Sequence, residues 1–398
     1  MKKSKKEAAK HYKNVFEETE IDDDLKAYKN DRDQLCKLRL EQAAQNKTPQ
    51  WSVSEVKFAI KDLNIGISKD PHGQPNELFK EGVAGAGLIN AVTKLMNLLK
   101  DNPKEYPECM DVCNVTSIYK NKRDRNSYDS HRGVFRTTTL RNILDRLMYN
   151  DEYSTVDKNL TDCNVGARKK RNMRDNLFSM NVIMNGRRQG IEKACDICVY
   201  DVKKCFDKLW MSECINDLYE AGLTNDKLCL IYYSNRTARI AIKTPNGMSE
   251  RFNIYEKVMQ GTVWAGLMCT CTMDKLGQLA YQDKSLLYKY RGEVEVPPLE
   301  MIDDIITANN CGKQVIQTNA AVNTFIKLKK LKLSESKCAR IHVGKGKCDQ
   351  CLPIVVNKKP IKESHQETYL GDYMTKNANP KATIENRKGM VSCQKCMQ

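Results

Sequence analysis

Three aspartates lie within or beside apolar segments, where a carboxylate can either take part in a reaction or simply face solvent. Asp201 lies near the end of the apolar run I-C-V-Y-D-V, and Asp303 and Asp304 form an acidic pair within M-I-D-D-I-I. A carboxylate among apolar strand residues costs several kcal/mol unless a cation neutralises it. Oxygen ligands suit Mg²⁺, and two such ions roughly 3.5–4 Å apart bind the attacking and leaving oxygens of a phosphoryl transfer. The three aspartates are therefore candidate metal ligands for phosphoryl transfer.

The same aspartates also have a purely structural interpretation. Asp is frequent in turns because its side chain bonds to nearby backbone groups, so an Asp-Asp pair between two strands is typical of a solvated turn. Asp201 can equally mark the end of its strand. Each segment alone leaves both interpretations open, and the order of segments along the chain has to decide between them.

Strands and helices alternate around these aspartates. Residues 197–202 predict a buried strand, and residues 203–221 predict an amphipathic helix that ends at Gly222. Residues 299–308 predict two strands with the acidic pair at the turn between them, and residues 337–343 predict a further strand. Helices packed on one face of an antiparallel sheet form an α+β fold, which is the class that we predict.

The first half of the chain predicts helices and a pair of strands. Residues 3–44 are dense in charge and predict a solvated helix without a compact core. Ser52 and Glu55 have the spacing of a capping box at the start of another helix. Residues 115–120 and 134–135 predict two strands that flank a basic loop, as in a finger that reaches over a charged ligand.

Composition favours a polyanionic partner. The chain has 66 Lys+Arg against 50 Asp+Glu, a net charge of +16 and a pI near 9.0. Nucleic acid is the commonest such partner because phosphate contacts release condensed counterions, and an inert basic surface is the alternative. No apolar run reaches the roughly 18 residues of a membrane span, and the basic start lacks the apolar core of a signal peptide. We expect an intracellular protein, nuclear or cytoplasmic, without a membrane partner and of open oligomeric state.

The 17 cysteines are expected to be buried and reduced, as small apolar side chains are inside cells. Two C-x-x-C pairs, Cys348/Cys351 and Cys393/Cys396, have the spacing of zinc ligands. The interval between the pairs is longer than in compact zinc ribbons, so zinc binding stays open beside reduced thiols.

A series of segments resembles the polymerase of non-LTR (LINE-type) retrotransposons, a reverse transcriptase, from about Trp51 to Gly371. In chain order they are K-D-P-H-G-Q-P-N-E-L-F-K, I-Y-K-N-K with H-R-G-V-F, V-G-A-R-K-K-R-N-M-R-D-N-L, Y-D-V-K-K-C-F-D, M-Q-G-T-V-W-A-G-L, M-I-D-D, L-K-L-S-E-S-K-C and Y-L-G. The last five are similar to motifs A to E of that family. Any one segment is a weak signal, and their order makes the resemblance specific.

The resemblance implies a right-hand polymerase with palm and fingers, and with a short or missing thumb. It implies a charged helical extension at 1–50, fingers at 51–190, a palm with the catalytic motifs at 191–345, and a primer-grip region with a truncated thumb start at 346–398. The implied reaction adds dNTPs to the 3′-hydroxyl of a DNA primer on an RNA template, in retrotransposition.

The resemblance also implies roles for the catalytic residues, with Mg²⁺, or Mn²⁺ in its place, as cofactor. Asp201, Asp303 and the backbone carbonyl of Val202 would hold the metal. Asp304 would support the site as a neighbouring acid. Lys337 would protonate the departing pyrophosphate as a general acid, although an ordinary surface lysine explains that position almost as well.

Further residues would contact the substrates. Lys120 and Arg132 would grip the triphosphate from the fingers, and Phe206 would exclude a 2′-hydroxyl and so favour dNTPs. Gln260 and Gly261 would begin a helix beside the nascent base pair. The structural alternative is a solvated basic loop for Lys120 and Arg132, and a core aromatic on an amphipathic helix for Phe206. The turn that holds the primer end would consist of Tyr369, Leu370 and Gly371.

The sequence departs from the family pattern at three places. Met301 stands where relatives have Tyr or Phe, Ala265-Gly266 replaces Ser-Pro or Gly-Pro, and Gly133 replaces a proline. The altered Ala265-Gly266 segment and the short thumb favour an alternative, a catalytically inactive polymerase-derived protein that binds nucleic acid, or a degenerate retroelement copy. A palm-type polymerase that makes RNA is a third alternative, which Phe206 disfavours.

Overall fold

The computed structural model describes residues 5–16, 23–120, 124, 126–189, 194–310, 312–344 and 353–376. Among them the α-helices are α1 Lys5–Phe16, α2 Asp23–Gln45, α3 Val53–Lys61, α4 Ala86–Asp101, α5 Thr139–Asp157, α6 Met173–Arg188, α7 Cys205–Lys208, α8 Met211–Glu220, α9 Asp226–Arg236, α10 Ala265–Met273, α11 Lys275–Gln282 and α12 Lys313–Leu328. The strands are β1 Val112–Tyr119, β2 His131–Arg136, β3 Cys195–Asp201, β4 Thr237–Thr244, β5 Gly247–Met248, β6 Phe252–Tyr255, β7 Tyr288–Tyr290, β8 Val294–Val296, β9 Leu299–Met301, β10 Asp304–Asn310, β11 Ala339–Val343, β12 Val355–Val356, β13 Lys359–Pro360, β14 Lys362–Glu363, β15 Gln366–Tyr369 and β16 Asp372–Thr375.

The chain divides into two compact units. The first unit consists of Met1–Leu160 and Phe206–Cys271, and the second of Thr161–Cys205 and Thr272–Gln398. Each unit contains a five-stranded sheet and its own helices, so the predicted α+β class is confirmed.

The sheet of the second unit has the order β14-β11-β3-β10-β9. Its central strand β3 is antiparallel to β10 and β11, and its apolar residues are all buried. Alternate residues Cys195, Ile197 and Val199 belong to one apolar cluster with residues of α6 that recur at helical spacing. Those α6 residues are Leu177, Met180, Ile183 and Met184. Because every second residue of β3 packs against the apolar face of α6, this packing fixes the position and the register of β3.

The sheet of the first unit has the order β2-β1-β4-β5, with β6 paired to the side of β4. Strand β1 runs antiparallel to β2 and parallel to β4. The predicted pair of strands around the basic loop is therefore confirmed. Because β1 lies between β2 and β4, it joins the hairpin that precedes α5 to the strands that follow α9.

Helix α1 belongs to the core of the first unit, so the expectation of a solvated helix without a core over residues 3–44 is wrong. The segment forms α1 and α2, and α1 buries Ala8, Tyr12 and Phe16 against the sheet. The Tyr12 hydroxyl contacts the Ser117 Oγ at 3.0 Å. These apolar residues recur four apart among lysines, so a helical face is present although the composition is charged.

The helix predicted for residues 203–221 is interrupted. It forms as α7 and α8, with Leu209 and Trp210 between them. Both side chains are buried, whereas successive residues of a continuous helix point about 100° apart. The predicted end at Gly222 is confirmed: its φ is +95°, and the Leu223 N–H donates to the Leu218 carbonyl, as in a Schellman motif.

Local signals at two further places agree with the sequence. Ser52 and Glu55 form the predicted capping box at the start of α3.

Of the described cysteines with free thiols, Cys109 is exposed and the others are buried. Both C-x-x-C pairs lie outside the described residues. No described helix combines the length and apolarity needed to cross a bilayer.

Glu300, in the short edge strand β9, is fully buried. Its Oε2 accepts a hydrogen bond from the Asn164 Nδ2 at 3.0 Å. Burial raises the pKa of Glu300 well above its usual value, and the Asp274 carboxylate raises it further. A carboxyl group without a cation tolerates burial better in its protonated form, and this is the form that the surroundings of Glu300 favour.

We expect Tyr12→Ala to destabilise the first unit by roughly 3–5 kcal/mol, because it removes a buried aromatic ring from the core and the partner of Ser117. Urea unfolding followed by circular dichroism measures the change. The exposed Lys10→Ala in the same helix should change the free energy of unfolding by less than about 0.5 kcal/mol. Equal small effects for both variants would contradict the docking of α1.

We expect Glu300→Gln to gain stability relative to the native chain as pH rises above about 4.3, the usual pKa of glutamate. The unfolded chain ionises there while the folded chain keeps its proton, so the native protein loses up to about 1.4 kcal/mol per pH unit until its raised pKa is passed. Urea unfolding at pH 5 to 8 tests this, with the exposed Glu293→Gln as control. A difference that is constant with pH would show that Glu300 is charged.

Candidate active site

Asp201 and Asp304 lie opposite each other on neighbouring strands. Asp201 ends β3, Asp304 begins β10, and the antiparallel register pairs them directly. The Cβ atoms of residues paired in this way are about 4.5–5.5 Å apart. Both side chains are half-buried. Like charges at this separation repel each other, so the pair favours a cation nearby.

Asp303 lies in the two-residue turn between β9 and β10. Met301 pairs with Asp304 across this turn, which makes Ile302 and Asp303 its central residues. Ile302 has a φ of +60°, a region that β-branched residues rarely adopt. The first central position of a II′ hairpin turn is usually Gly. Backbone strain of this kind clusters at functional sites, and here it adjoins the acidic pair.

Lys337 contacts Asp201 directly. Its Nζ lies 2.7 and 2.6 Å from the two carboxylate oxygens. The segment before it is held in place because the Ser334 N–H donates to the Asp201 carbonyl at 2.8 Å. The neighbouring Val202 is buried and forms an isolated antiparallel bridge with the same segment. The second unit thus brings three predicted catalytic residues, Asp201, Asp304 and Lys337, to one end of its sheet.

The predicted triphosphate contacts lie in the first unit. Lys120 directly follows β1, and its N–H donates to the Ser130 carbonyl at 2.9 Å. Arg132 lies in β2, opposite Ile118 of β1, and the side chains of Lys120 and Arg132 are exposed. Phe206 is half-buried in α7, and none of the contacts that the structure describes joins it to the β1–β2 hairpin.

Gln260 and Gly261 lie against β2. The Phe135 N–H donates to the Gln260 carbonyl at 2.9 Å. Gly261 has a φ of +100°, and a Cβ added to it would lie 2.8 Å from the Val134 Cγ1. The helix predicted to begin here is wrong in its start, since α10 begins at Ala265. A positive φ cannot continue a right-handed helix, and the close approach to β2 requires Gly.

Tyr369, Leu370 and Gly371 form a tight turn between β15 and β16. Both central residues have positive φ, +49° at Leu370 and +86° at Gly371, the pattern of a I′ turn. Tyr369 is buried and packs with Leu370 in the apolar cluster that β3 shares with α6. Burial raises the pKa of the Tyr369 hydroxyl, which lies 3.4 Å from the Asn176 Nδ2. Their role at a primer end stays a prediction.

Sequence analysis missed Asn164 and Gly166, which lie against the β9–β10 turn. Asn164 bonds to the backbone of Ile302. A Cβ added to Gly166 would lie 2.4 Å from the Ile302 Cγ1. The segment that begins at Val165 entered the sequence analysis only as part of the family resemblance, and its one structural signal is a Gly two residues after an Asn.

The described residues contain no group of three or more His, Cys, Asp or Glu side chains placed to hold a metal ion. Asp201, Asp303 and Asp304 still suit Mg²⁺, because this ion usually binds through one or two carboxylates and completes its shell with water and substrate phosphates. The half-buried carboxylate of Asp201 forms an ion pair with one cation, the Lys337 ammonium.

Comparison with known proteins gives a family and one solved structure. An apo telomerase from Candida tropicalis, truncated from its C-terminal domain, is similar to this chain with 12% identity and a TM-score of 0.46. The match covers 68% of this chain and 55% of that one, so the chain spans about half the length of that structure. No curated protein matches this sequence.

The family model of the reverse transcriptase (RNA-dependent DNA polymerase) matches residues 120–373. The matched part includes β3, the β9–β10 turn and the segment that carries Lys337. Because the match extends over well over half of the chain, the protein belongs to the reverse transcriptase (RNA-dependent DNA polymerase) family.

Proposed function

We propose that this chain is an RNA-directed DNA polymerase, which adds dNTPs to the 3′-hydroxyl of a DNA primer on an RNA template. The observation that carries the proposal is the register of β3 and β10, which sets Asp201 beside Asp304 in the part of the chain that the family model matches. Two half-buried carboxylates on neighbouring strands, one of them beside a strained turn, are costly without a cationic ligand. Polymerase chemistry would supply such a ligand.

Asp201, Asp303 and the Val202 carbonyl are our proposed ligands for Mg²⁺ or Mn²⁺. When bound, two such ions would stabilise the charge that develops on the attacking 3′-oxygen and on the leaving pyrophosphate. Asp304 would remain the neighbouring acid that keeps the local potential negative. Its strand partner Asp201 is 25% exposed at the side chain, so a ligand can reach this pair from solvent.

Lys337 is our proposed general acid. Its Nζ bonds to both oxygens of Asp201, and its side chain is 52% exposed. An ammonium group held at the carboxylates can give a proton to the pyrophosphate oxygen as the bond to phosphorus breaks. The adjacent carboxylate would hold the ammonium in position for this transfer.

The remaining substrate roles follow the family resemblance. Lys120 and Arg132 would bind the triphosphate, since both are exposed cations on the β1–β2 hairpin. Gln260 and Gly261 would face the nascent base pair, and Phe206 would exclude ribonucleotides. The turn of Tyr369, Leu370 and Gly371 would hold the primer end.

The biological setting that we propose is retrotransposition of a non-LTR (LINE-type) element, in the nucleus or cytoplasm, with the element's RNA as template. The net charge of +16 supports RNA and DNA as partners, because a basic surface gains from counterion release. We also propose the subdomains 51–190 for fingers, 191–345 for palm and 346–398 for the primer grip and thumb start, after the extension 1–50.

Primer extension on an RNA template tests the activity. With dNTPs and Mg²⁺ or Mn²⁺, we expect the native chain to extend the primer, and we expect Asp201→Asn and Asp303→Asn to lower the rate by roughly 10²–10³-fold or more through lost electrostatic stabilisation. Asp283→Asn is the matched control. Asp283 is exposed and caps a short helical turn, which Asn does equally well, so its rate should stay native.

Two results would contradict the proposal. If a chain that unfolds cooperatively and binds RNA in a salt-sensitive way extends no primer, the inactive nucleic-acid-binding alternative holds. If ribonucleotides are incorporated in preference to dNTPs, the chain is an RNA-synthesising polymerase.

Phe206→Ala should relax sugar selection. We expect the ratio of ribonucleotide to deoxyribonucleotide incorporation to rise roughly 10–200-fold, the range that a small steric change in a pocket allows. Competition assays with both nucleotides at one template position measure this ratio. Phe58→Ala is the control, since Phe58 is 58% exposed in the same unit. An unchanged ratio in the Phe206 variant would show that the ring has only a packing role in the core.

A further inference from the structure

The turn that carries Asp303 has a conformation that its own sequence disfavours. Ile302 has a φ of +60°, and a β-branched residue adopts this region only where its surroundings impose it. The turn is linked to β10, whose first residue is Asp304. Contacts outside the hairpin must therefore hold Ile302, and these contacts influence where the two acids point.

Asn164 makes those contacts. Its Nδ2 donates to the Ile302 carbonyl at 3.0 Å, and its Oδ1 accepts from the Ile302 N–H at 3.1 Å. The same amide donates to Glu300 Oε2 at 3.0 Å and accepts from the Gly166 N–H at 2.9 Å. A primary amide has two donors and two acceptor lone pairs, so all four are used. The side chain is fully buried.

The bonding pattern also assigns the orientation of the amide. Both partners of its Nδ2 are oxygens, and both partners of its Oδ1 are backbone N–H groups. A flipped amide would oppose like groups at all four contacts. Asn164 therefore binds both the backbone carbonyl and the backbone N–H of the strained Ile302, as a neighbouring strand would.

The backbone around Asn164 is built for this approach. The Val165 N–H donates to the Glu300 carbonyl at 3.0 Å, and the Glu300 N–H donates to the Cys163 carbonyl at 2.8 Å. Residues 163–165 thus run beside β9 in the manner of an additional strand. A Cβ at Gly166 would lie 2.4 Å from the Ile302 N and Cγ1, so only Gly permits the contact.

We infer that Asn164 is a positioning residue for the reaction: it holds Ile302 in its left-handed conformation and thereby orients Asp303 and Asp304 toward the reacting phosphates. The inference rests on the proposed polymerase function. It adds a residue outside the acidic motifs on which the geometry of those acids depends. Gly166 serves the same purpose by admitting the turn.

A purely structural role has different consequences. An amide that only satisfies buried polar groups would, when removed, lower the folded fraction without changing how the folded enzyme responds to metal. A positioning amide changes the metal dependence and kcat of the folded enzyme. It also changes the protection of the Ile302 N–H, which can be measured without any activity.

The experiment compares Asn164→Ala with Asn309→Ala and with the double variant Asn164→Ala/Ile302→Gly. Asn309 is an equally buried asparagine in β10 that bonds to the Asp196 carbonyl and the Thr307 Oγ1, away from the turn. Thermal unfolding establishes that each variant folds. Steady-state primer extension gives kcat, KM for primer–template and the half-activating concentrations of Mg²⁺ and Mn²⁺. Hydrogen exchange gives the protection of the Ile302 amide.

We expect Asn164→Ala to lower kcat about tenfold or more and to raise the half-activating metal concentration several-fold, because without the amide the turn moves to relieve the backbone strain at Ile302. The KM for primer–template should stay within about twofold of the native value. Exchange at the Ile302 amide should accelerate about tenfold or more. The double variant should recover most of kcat, since Gly adopts positive φ without penalty. It also keeps the test open if the single variant does not fold.

Three results would overturn the inference. They are an unchanged exchange rate at Ile302, an equal change in metal dependence for Asn309→Ala, or no recovery in the double variant. A native chain without polymerase activity would refute the proposed function instead. In that case, acceleration of exchange at Ile302 in Asn164→Ala, but not in Asn309→Ala, would still support the holding of the turn, and its absence would refute it.

Discussion

The register between β3 and β10 is the constraint on which the second unit depends. It sets Asp201 beside Asp304, an arrangement that electrostatics alone would disfavour. The apolar residues behind the acids oppose any slip, because Ile197 and Ile306 are buried in the cluster that α6 completes. A shift by one residue would turn every side chain of the strand to the other face. The free energy that brings the two carboxylates together therefore comes from the apolar core.

The second unit accommodates its buried acids in different ways. Asp196 forms an ion pair with Arg340 at 2.8 Å, and Asp274 accepts hydrogen bonds from a threonine and a glutamine. Glu300 lies in surroundings that favour its protonated form. Each solution is internal and permanent. Asp201 differs, because its side chain is partly exposed and its partner is a lysine side chain that is itself half exposed. A partly exposed carboxylate of this kind is accessible to a second cation, as the proposed metal binding requires.

Local signals were predictable from the sequence, and contacts between distant segments were not. The capping box at Ser52, the helix end at Gly222 and the strand that ends at Asp201 each depend on neighbouring residues. Asn164 acts on a residue 138 positions away in sequence, and no periodicity or spacing near it indicates that contact. The helical conformation of α1 was predicted, but its packing was missed for a related reason: the charge of its exposed face masked an apolar face that contacts the sheet. The apolar patterns around the aspartates predicted their positions at strand ends, but they could not show the strain at Ile302.

The position of β1 has a consequence for how the protein can be divided. The family match begins at residue 120, directly after β1 ends at Tyr119, yet β1 bonds to both β2 and β4. A shortened chain that kept only the matched residues would lose this strand together with α1. Two strands would then present unpaired backbone edges beside an uncovered apolar face, and such edges are templates for aggregation. The boundary of the family match is therefore not a folding boundary, because the residues before it pair with β2 and β4 and cover the apolar face of their sheet.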